Sequence, residues 1–224
     1  MASVINHRGP DDEGIYIKGN VGLAHKRLSI LDLSPAGHQP MSNEDGSIWI
    51  VFNGEIYNFL DLREDLQKKG HTFRSRTDTE TIIHLYEEKG VGCVNDLRGM
   101  FAFAIWDENK KRLFCARDRA GKKPFVYAHT EDGLVFASEI KSLLKDPTLK
   151  RSLDYSSIHH YLTYQYVPSP MSIFKSITKL PPAHMLIYEG GDLKIQRYWN
   201  LSYQNKLQLS SVEEYGEQFR DLFQ

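Results

Sequence analysis

The segment Phe101–Trp106 reads FAFAIW, the segment Arg112–Arg117 reads RLFCAR, and the five residues Asp107–Lys111 between them read DENKK. The first segment is apolar throughout and the second has an apolar centre, whereas the residues between them are polar. This pattern predicts a hairpin of two strands that are buried in a sheet. Strands joined by so short a loop pair antiparallel.

Two further hairpins and two helices are predicted around this one. The predicted strand pairs are Phe125–His129 with Leu134–Ala137, and His184–Tyr188 with Leu193–Tyr198. Phe59–Lys69 has helical spacing and stops at Gly70, and Thr77-x-x-Glu80 is a capping box that begins a second helix ending near Gly90. Helices therefore stand between groups of strands and do not follow each strand. This order predicts an α+β fold with antiparallel sheets.

Composition excludes several classes of protein. The 224 residues are 41% hydrophobic and 25% charged, with a net charge of −1, so no electrostatic field favours binding to nucleic acid. The longest fully apolar run, Met100–Trp106, is too short to span a membrane. Cys93 and Cys115 form no CxxC pair and predict a reducing, cytoplasmic location. The histidines are scattered, and only His159 and His160 adjoin, so no metal site is predicted.

The sequence changes character near its end. Residues 202–211 are polar and lack periodicity, which predicts a linker after a domain at 1–201. Ser211-x-x-Glu214 is a capping box for an amphipathic helix. We interpret 212–224 as the first helix of a second, truncated domain. The alternative is a final helix that packs back onto the first domain.

Four polar clusters stand in loops or at the ends of predicted elements, where functional residues are common. They are His7–Asp12, Arg27–Ile30, Asn53–Asn58 and Thr77–Glu80. Each also has a structural explanation. Arg8 and Asp11 could form an ion pair, Asn53-Gly54 is a typical hairpin turn that would end a strand at Ile48–Phe52, and Asp78 could complement a helix dipole.

Together the clusters fit the recognition of a free amino acid. Such a ligand needs an arginine for its carboxylate and an acid for its ammonium group, and Arg27 and Asp78 are of the right types. A tetrahedral intermediate needs preorganised donors, which the Asn53 amide and the Gly54 N–H could supply. A site for an amino-acid amide is chemically sensible, and the pattern alone does not decide between this and the structural explanations.

The order of the motifs is more specific than any of them alone. HRGPDDEG, RLSILD, NGEIYN, TDTE, RDRAG and SEIK begin at His7, Arg27, Asn53, Thr77, Arg117 and Ser138. In this order and spacing the chain resembles the N-terminal, class II glutamine amidotransferase domain of asparagine synthetase. Tyr166–Pro170, Lys179–Pro182 and Arg197–Trp199 extend the resemblance. It implies a four-layer α-β-β-α sandwich of the N-terminal-nucleophile hydrolase type.

The resemblance also implies a role for individual residues. Arg27 corresponds to the residue that holds the glutamine α-carboxylate, and Asp78 to the acid that takes the α-ammonium group. Asn53 and Gly54 correspond to the oxyanion hole. The other substrate-binding residues implied are Leu28, Ser29, Ile30, Leu31 and Glu55, with Arg8 and Asp11 in a supporting role.

This chain differs from the family at the position of the nucleophile. Members of the family begin with a cysteine whose own α-amine acts as the base. This chain begins Met1-Ala2-Ser3, so we expect a sandwich truncated at its N-terminus by roughly fifty residues and inactive by itself. Cys93 and Cys115 are interpreted as small apolar fillers.

The implied function is glutamine hydrolysis to glutamate and ammonia for the ATP-dependent amidation of aspartate. The domain itself would need no cofactor, since ATP and Mg²⁺ belong to a C-terminal synthetase domain, its expected partner. A homodimer is possible, and neither nucleic acid nor membrane is an expected partner. The alternatives are an amidotransferase with another carboxylate acceptor and a non-catalytic glutamine-binding homologue.

Overall fold

The computed structural model describes residues 1–204 and 206–223. The strands are β1 (Asp12–Lys18), β2 (Val21–Arg27), β3 (Met41–Ser42), β4 (Ile48–Ile56), β5 (Gly99–Asp107), β6 (Arg112–Arg117), β7 (Val126–Thr130), β8 (Gly133–Ala137), β9 (Thr178–Lys179), β10 (His184–Glu189) and β11 (Asp192–Arg197). The helices are α1 (Phe59–Lys68), α2 (Asp78–Lys89), α3 (Ile140–Leu143), α4 (Tyr155–Tyr164) and α5 (Val212–Phe223), with 3₁₀ turns at Ala2–Arg8, Pro35–Gly37 and Gly90–Asn95. All three predicted hairpins are confirmed, with ends shifted by one residue or two.

A six-stranded antiparallel sheet in the order β11-β10-β6-β5-β4-β3 forms the centre. In β5, Phe101, Phe103 and Ile105 belong to one buried cluster, and Ala102 and Ala104 belong to another. Successive side chains of a strand point to opposite faces, so both faces of this sheet are covered. That is why FAFAIW lacks the alternation of polar and apolar residues seen in half-exposed strands.

Helices α1 and α2 cover one face of the central sheet. The Thr77 side chain accepts a hydrogen bond from the Glu80 N–H, as the capping box predicts, and Gly90 ends α2 with a φ of 54°. Ile82, Ile83 and Tyr86 of α2 are buried against β4 and β5. Full burial of such side chains stabilises the fold by about 1.5–3 kcal/mol each.

The other face carries a second layer of strands in two separate pieces, the hairpin β1-β2 and the sheet β8-β7-β9. Leu23 of the first piece and Tyr127 of the second pack in one cluster with Val51 of the central sheet. Leu143 of α3 packs on the far side of β7. The layers are therefore helix, sheet, sheet and helix, which confirms the α+β sandwich.

The expected end of the strand at Asn53-Gly54 is wrong. β4 continues to Ile56, and Asn53 and Gly54 pair with Ala102 and Phe101 of β5. A Cβ at Gly54 would lie 2.2 Å from the Met100 carbonyl oxygen. The glycine is needed for close approach of two strands rather than for a turn.

Helix α5 has no buried residue among those described. Tyr215 contacts the preceding segment, its hydroxyl donating to the Leu207 carbonyl at 2.9 Å. The division into a domain at 1–201, a linker and a helix at 212–224 stays a prediction, and Asn205 and Gln224 lie outside the described residues. None of the described helices is long and apolar enough to cross a lipid bilayer.

A buried histidine ties α2 to its surroundings. His84 is 1% exposed, with Nδ1 at 2.7 Å from Glu87 Oε2 and Nε2 at 3.9 Å from Glu80 Oε1. Burial alone would lower the pKa of His84, but these two carboxylates raise it to about 9. The pKa of Glu80 falls to about 2, because the ion pair with His84 and the hydrogen bonds donated by Arg74 and Ser75 outweigh the effect of burial.

These shifts predict how stability depends on pH. The contribution of His84 is complete below pH 6.5 and is lost as pH rises through 9, and that of Glu80 is complete above pH 4.5 and is lost as pH falls toward 2. In His84→Gln, the free energy of unfolding should lose its decline between pH 7 and 9. Urea unfolding at several pH values measures this, with exposed His129→Gln as the control. An unchanged decline in His84→Gln would contradict it.

Candidate active site

A cavity of about 400 Å³ lies above β4 and β5, between the two pieces of the second strand layer. Its lining includes most of the residues that the sequence singled out. They are Arg8, Arg27, Leu28, Ile30, Leu31, Asn53, Gly54, Glu55 and Asp78.

The edge of β4 that faces this cavity has no strand beside it beyond Ile50, because the antiparallel strand β3 begins only at Met41. Side chains there make the hydrogen bonds that a neighbouring strand would otherwise make to the backbone of β4. The Phe52 N–H donates to Gln39 Oε1 at 2.7 Å, and the Ile56 N–H donates to Asp78 Oδ2 at 2.9 Å. In an antiparallel strand every second residue points its N–H to the same side. The Gly54 N–H therefore points to this edge, between two amides that are already bonded.

Asn53 supplies a second donor. It is half-buried, and its Nδ2 is fully buried with no hydrogen-bond partner among the described residues. A buried donor left unpaired costs about 1–3 kcal/mol, which a bound acceptor would recover. A side-chain amide without a partner, beside a backbone N–H that points to an open strand edge, suits an oxyanion hole.

Arg27 is 7% exposed and holds the loop that follows β2. Its Nη1 donates to the Ser34 carbonyl at 3.2 Å, and its Nη2 donates to the carbonyls of Leu31 and Asp32. Three of five N–H donors are thus used within the described chain, and Nε and one hydrogen of Nη1 remain. A Cβ at Gly37 would lie 2.0 Å from Nη2, so only glycine leaves room for this guanidinium.

The two supporting residues, Arg8 and Asp11, contact different segments of the chain. Asp11 Oδ2 accepts a hydrogen bond from the Ser29 N–H at 2.8 Å and so fixes the backbone of Ser29. Ser29 itself does not line the cavity. Arg8 Nη1 donates to Glu139 at 3.2 Å. The ion pair between Arg8 and Asp11 considered from sequence is therefore wrong.

Asp78 is the first residue of α2 and is 4% exposed. Burial raises the pKa of its carboxyl to about 6, although the hydrogen bond from Ile56 opposes this. A carboxylate kept ionised at such cost is suited to a cationic ligand group. Glu55 is half-buried in the same cavity lining, and its charge also raises the pKa of Asp78.

Neither cysteine belongs to the site. Cys93 packs in the cluster under the helices and Cys115 lies in β6, both at 0% exposure. Burial raises the pKa of each thiol far above its usual range, so neither is a nucleophile. Their interpretation as apolar fillers is confirmed.

The cavity also contains residues that the sequence analysis missed, His25 and Gln39. His25 lies on the inward face of β2 with Leu23 and Arg27, and period-2 spacing from Arg27 could have indicated it. Elsewhere, the ligand atoms of His71, His84 and Glu87 lie within 4.8 Å of one another and are of metal-binding type. Each is already engaged in ion pairs with neighbours, which explains the group without an ion.

Comparison with known families gives the site a context. Residues 1–199 match the family model described as "Glutamine amidotransferase domain". The chain belongs to this family. It is 44% identical over 208 residues to asparagine synthetase [glutamine-hydrolyzing] 2 of Bacillus subtilis, covering 90% of this chain and 27% of the relative. It is 41% identical to a putative asparagine synthetase 2 of Methanocaldococcus jannaschii, covering 89% of this chain and 42% of the relative.

A solved structure shows the same fold. Glutamine phosphoribosylpyrophosphate amidotransferase from B. subtilis aligns with a TM-score of 0.55 at 22% identity, over 80% of this chain and 35% of the other. The amidotransferase domain thus has the N-terminal-nucleophile hydrolase fold that the resemblance implied. The chain spans less than half the length of the curated synthetases described above.

Proposed function

We propose that this domain hydrolyses glutamine and delivers ammonia within a glutamine-dependent asparagine synthetase. The observation that carries the proposal is the open edge of β4. There the Gly54 N–H lies between two satisfied amides and Asn53 Nδ2 has no partner in the part of the chain that the structure describes, in a cavity that also contains Arg27 and Asp78.

Each residue has a separate task in this proposal. Asp78 binds the α-ammonium group of glutamine and Arg27 its α-carboxylate, which places the side-chain amide at β4. A thiolate attacks the amide carbon, and Asn53 and Gly54 stabilise the negative oxygen. Ammonia leaves with the proton taken from the thiol, and water hydrolyses the thioester to glutamate. The nucleophile is a cysteine other than Cys93 and Cys115.

The rest of the proposed enzyme follows from the relatives. A synthetase domain is the partner, and it would use ATP and Mg²⁺ to activate aspartate for attack by ammonia. Assembly as a homodimer belongs to the same proposal. The cytoplasm is the proposed compartment, because both thiols are free and buried.

The experiment uses the full-length protein that carries this domain. With ATP, Mg²⁺ and aspartate, asparagine should form from either glutamine or ammonium, and glutamine should yield glutamate. Arg27→Ala should abolish the glutamine-dependent reaction and spare the ammonium-dependent one. Residues 1–224 alone should give only background glutamate release.

The outcomes separate the candidate functions. Amidation of a carboxylate other than aspartate would move the enzyme to another acceptor class. Glutamine binding without glutamate release would identify a non-catalytic homologue. Glutaminase activity that Arg27→Ala leaves intact would overturn the assignment of this cavity.

A further inference from the structure

Two side chains from separate segments hold the peptide groups of Phe52 at the open edge of β4. His25 Nε2 lies 3.0 Å from the Phe52 carbonyl oxygen, and Gln39 Oε1 accepts the Phe52 N–H at 2.7 Å. Gln39 Nε2 also donates to Thr79 Oγ1 at 3.3 Å, next to Asp78 on α2. In place of a neighbouring strand, β4 is fixed here by contacts to β2 and α2.

The chemical state of His25 follows from its partner. A carbonyl oxygen can only accept, so Nε2 carries the proton. Burial lowers the pKa of His25 to about 4, and the nearby charge of Arg27 adds to this, although the bond to Phe52 opposes it. The ring is therefore neutral at physiological pH, with an unprotonated, buried Nδ1 that has no partner among the described residues.

We propose that His25 and Gln39 are positioning residues for the oxyanion hole. They fix the peptide groups on either side of Phe52, and these groups set the direction of Asn53 and of the Gly54 N–H that follow. The inference rests on the proposed glutaminase function. A misplacement of about 1 Å in such a site can cost about 10² in rate, so a clamp on this edge affects turnover more than binding.

The test compares three variants in the full-length enzyme. His25→Leu removes the donor and Gln39→Met removes the acceptor, and each should lower kcat for glutamine hydrolysis roughly 10- to 100-fold with KM within about twofold. His25→Gln keeps an N–H near the position of Nε2 and should retain kcat within about threefold. Tyr86→Phe removes a buried hydrogen bond to Asp107 away from the cavity and should leave both constants near the parent values.

Several outcomes would overturn the inference. They are an unchanged kcat in His25→Leu, a rise in KM with kcat spared, or a fall in kcat for Tyr86→Phe as large as that for His25→Leu.

If the parent enzyme releases no glutamate, the proposed function fails, but the hydrogen bond between His25 and Phe52 can still be tested. Nitrogen-15 spectra of labelled histidine should show His25 as the neutral Nε2–H tautomer at pH 7, and an Nδ1–H tautomer or a charged ring would refute the clamp. If His25→Leu fails to fold, Gln39→Met should still show the fall in kcat and His25→Gln its retention, and an unchanged kcat in Gln39→Met would overturn the inference.

Discussion

Asn53→Ala is expected to lower kcat for glutamine hydrolysis by about 10²–10³ and to leave KM within about twofold. The reason is that the Asn53 amide has no partner among the described residues and would gain a full one only when the substrate oxygen becomes negative. An interaction made only in the transition state changes kcat and not KM. Steady-state glutamate release from the full-length enzyme measures both constants.

Asn58→Ala is the matched control, since both residues belong to the NGEIYN motif. Asn58 Nδ2 donates to the Asp96 carbonyl at 3.0 Å, and its Oδ1 accepts the Arg98 N–H at 2.9 Å, so its role is structural. Its loss should lower the unfolding temperature without a selective fall in kcat. A rise in KM with kcat spared in Asn53→Ala would instead make Asn53 a substrate-positioning residue.

The NGEIYN segment also shows where sequence reasoning succeeds and fails. Caps and hairpins depend on local chemistry, so the capping box at Thr77 and the hairpin of β5 and β6 were predictable. Asn53-Gly54 has the composition of a turn, and only the approach of Met100 shows why the glycine is required within a strand. Long-range contacts of this kind leave no local pattern.

The candidate site divides in the same way. Arg27 and Asp78 could be proposed as the ends of an amino-acid site because their charges are visible in the sequence, and both line one cavity. The hydrogen bonds that Arg27 donates to three loop carbonyls could not be predicted, because they depend on how the chain folds back over Gly37. His25 and Gln39 come from different segments and meet only at Phe52, so neither forms a motif.

Asp78→Asn is expected to raise KM for glutamine by about 10²–10³ with a smaller change in kcat. Truncating one partner of a buried charge pair costs about 2–5 kcal/mol, and the ammonium group is bound in ground and transition states alike. Asp11→Asn is the control, because it keeps an oxygen to accept the Ser29 N–H and removes only an exposed charge. A parental KM in Asp78→Asn would show that another group binds the ammonium.

The pH dependence of the same variant gives an independent check. The pKa of Asp78 is raised to about 6 by burial, and an ammonium ligand binds only the ionised form. KM of the parent should therefore rise about tenfold per unit below pH 6, whereas KM of Asp78→Asn should be flat there.

Because the folded-state pKa lies above the usual 3.8, the stability from Asp78 is complete below pH 3.8 and is lost as pH rises through 6. Asp78→Asn should consequently raise the unfolding temperature of the ligand-free protein at pH 8, and an unchanged or lower temperature would contradict a carboxylate kept ionised at the expense of stability.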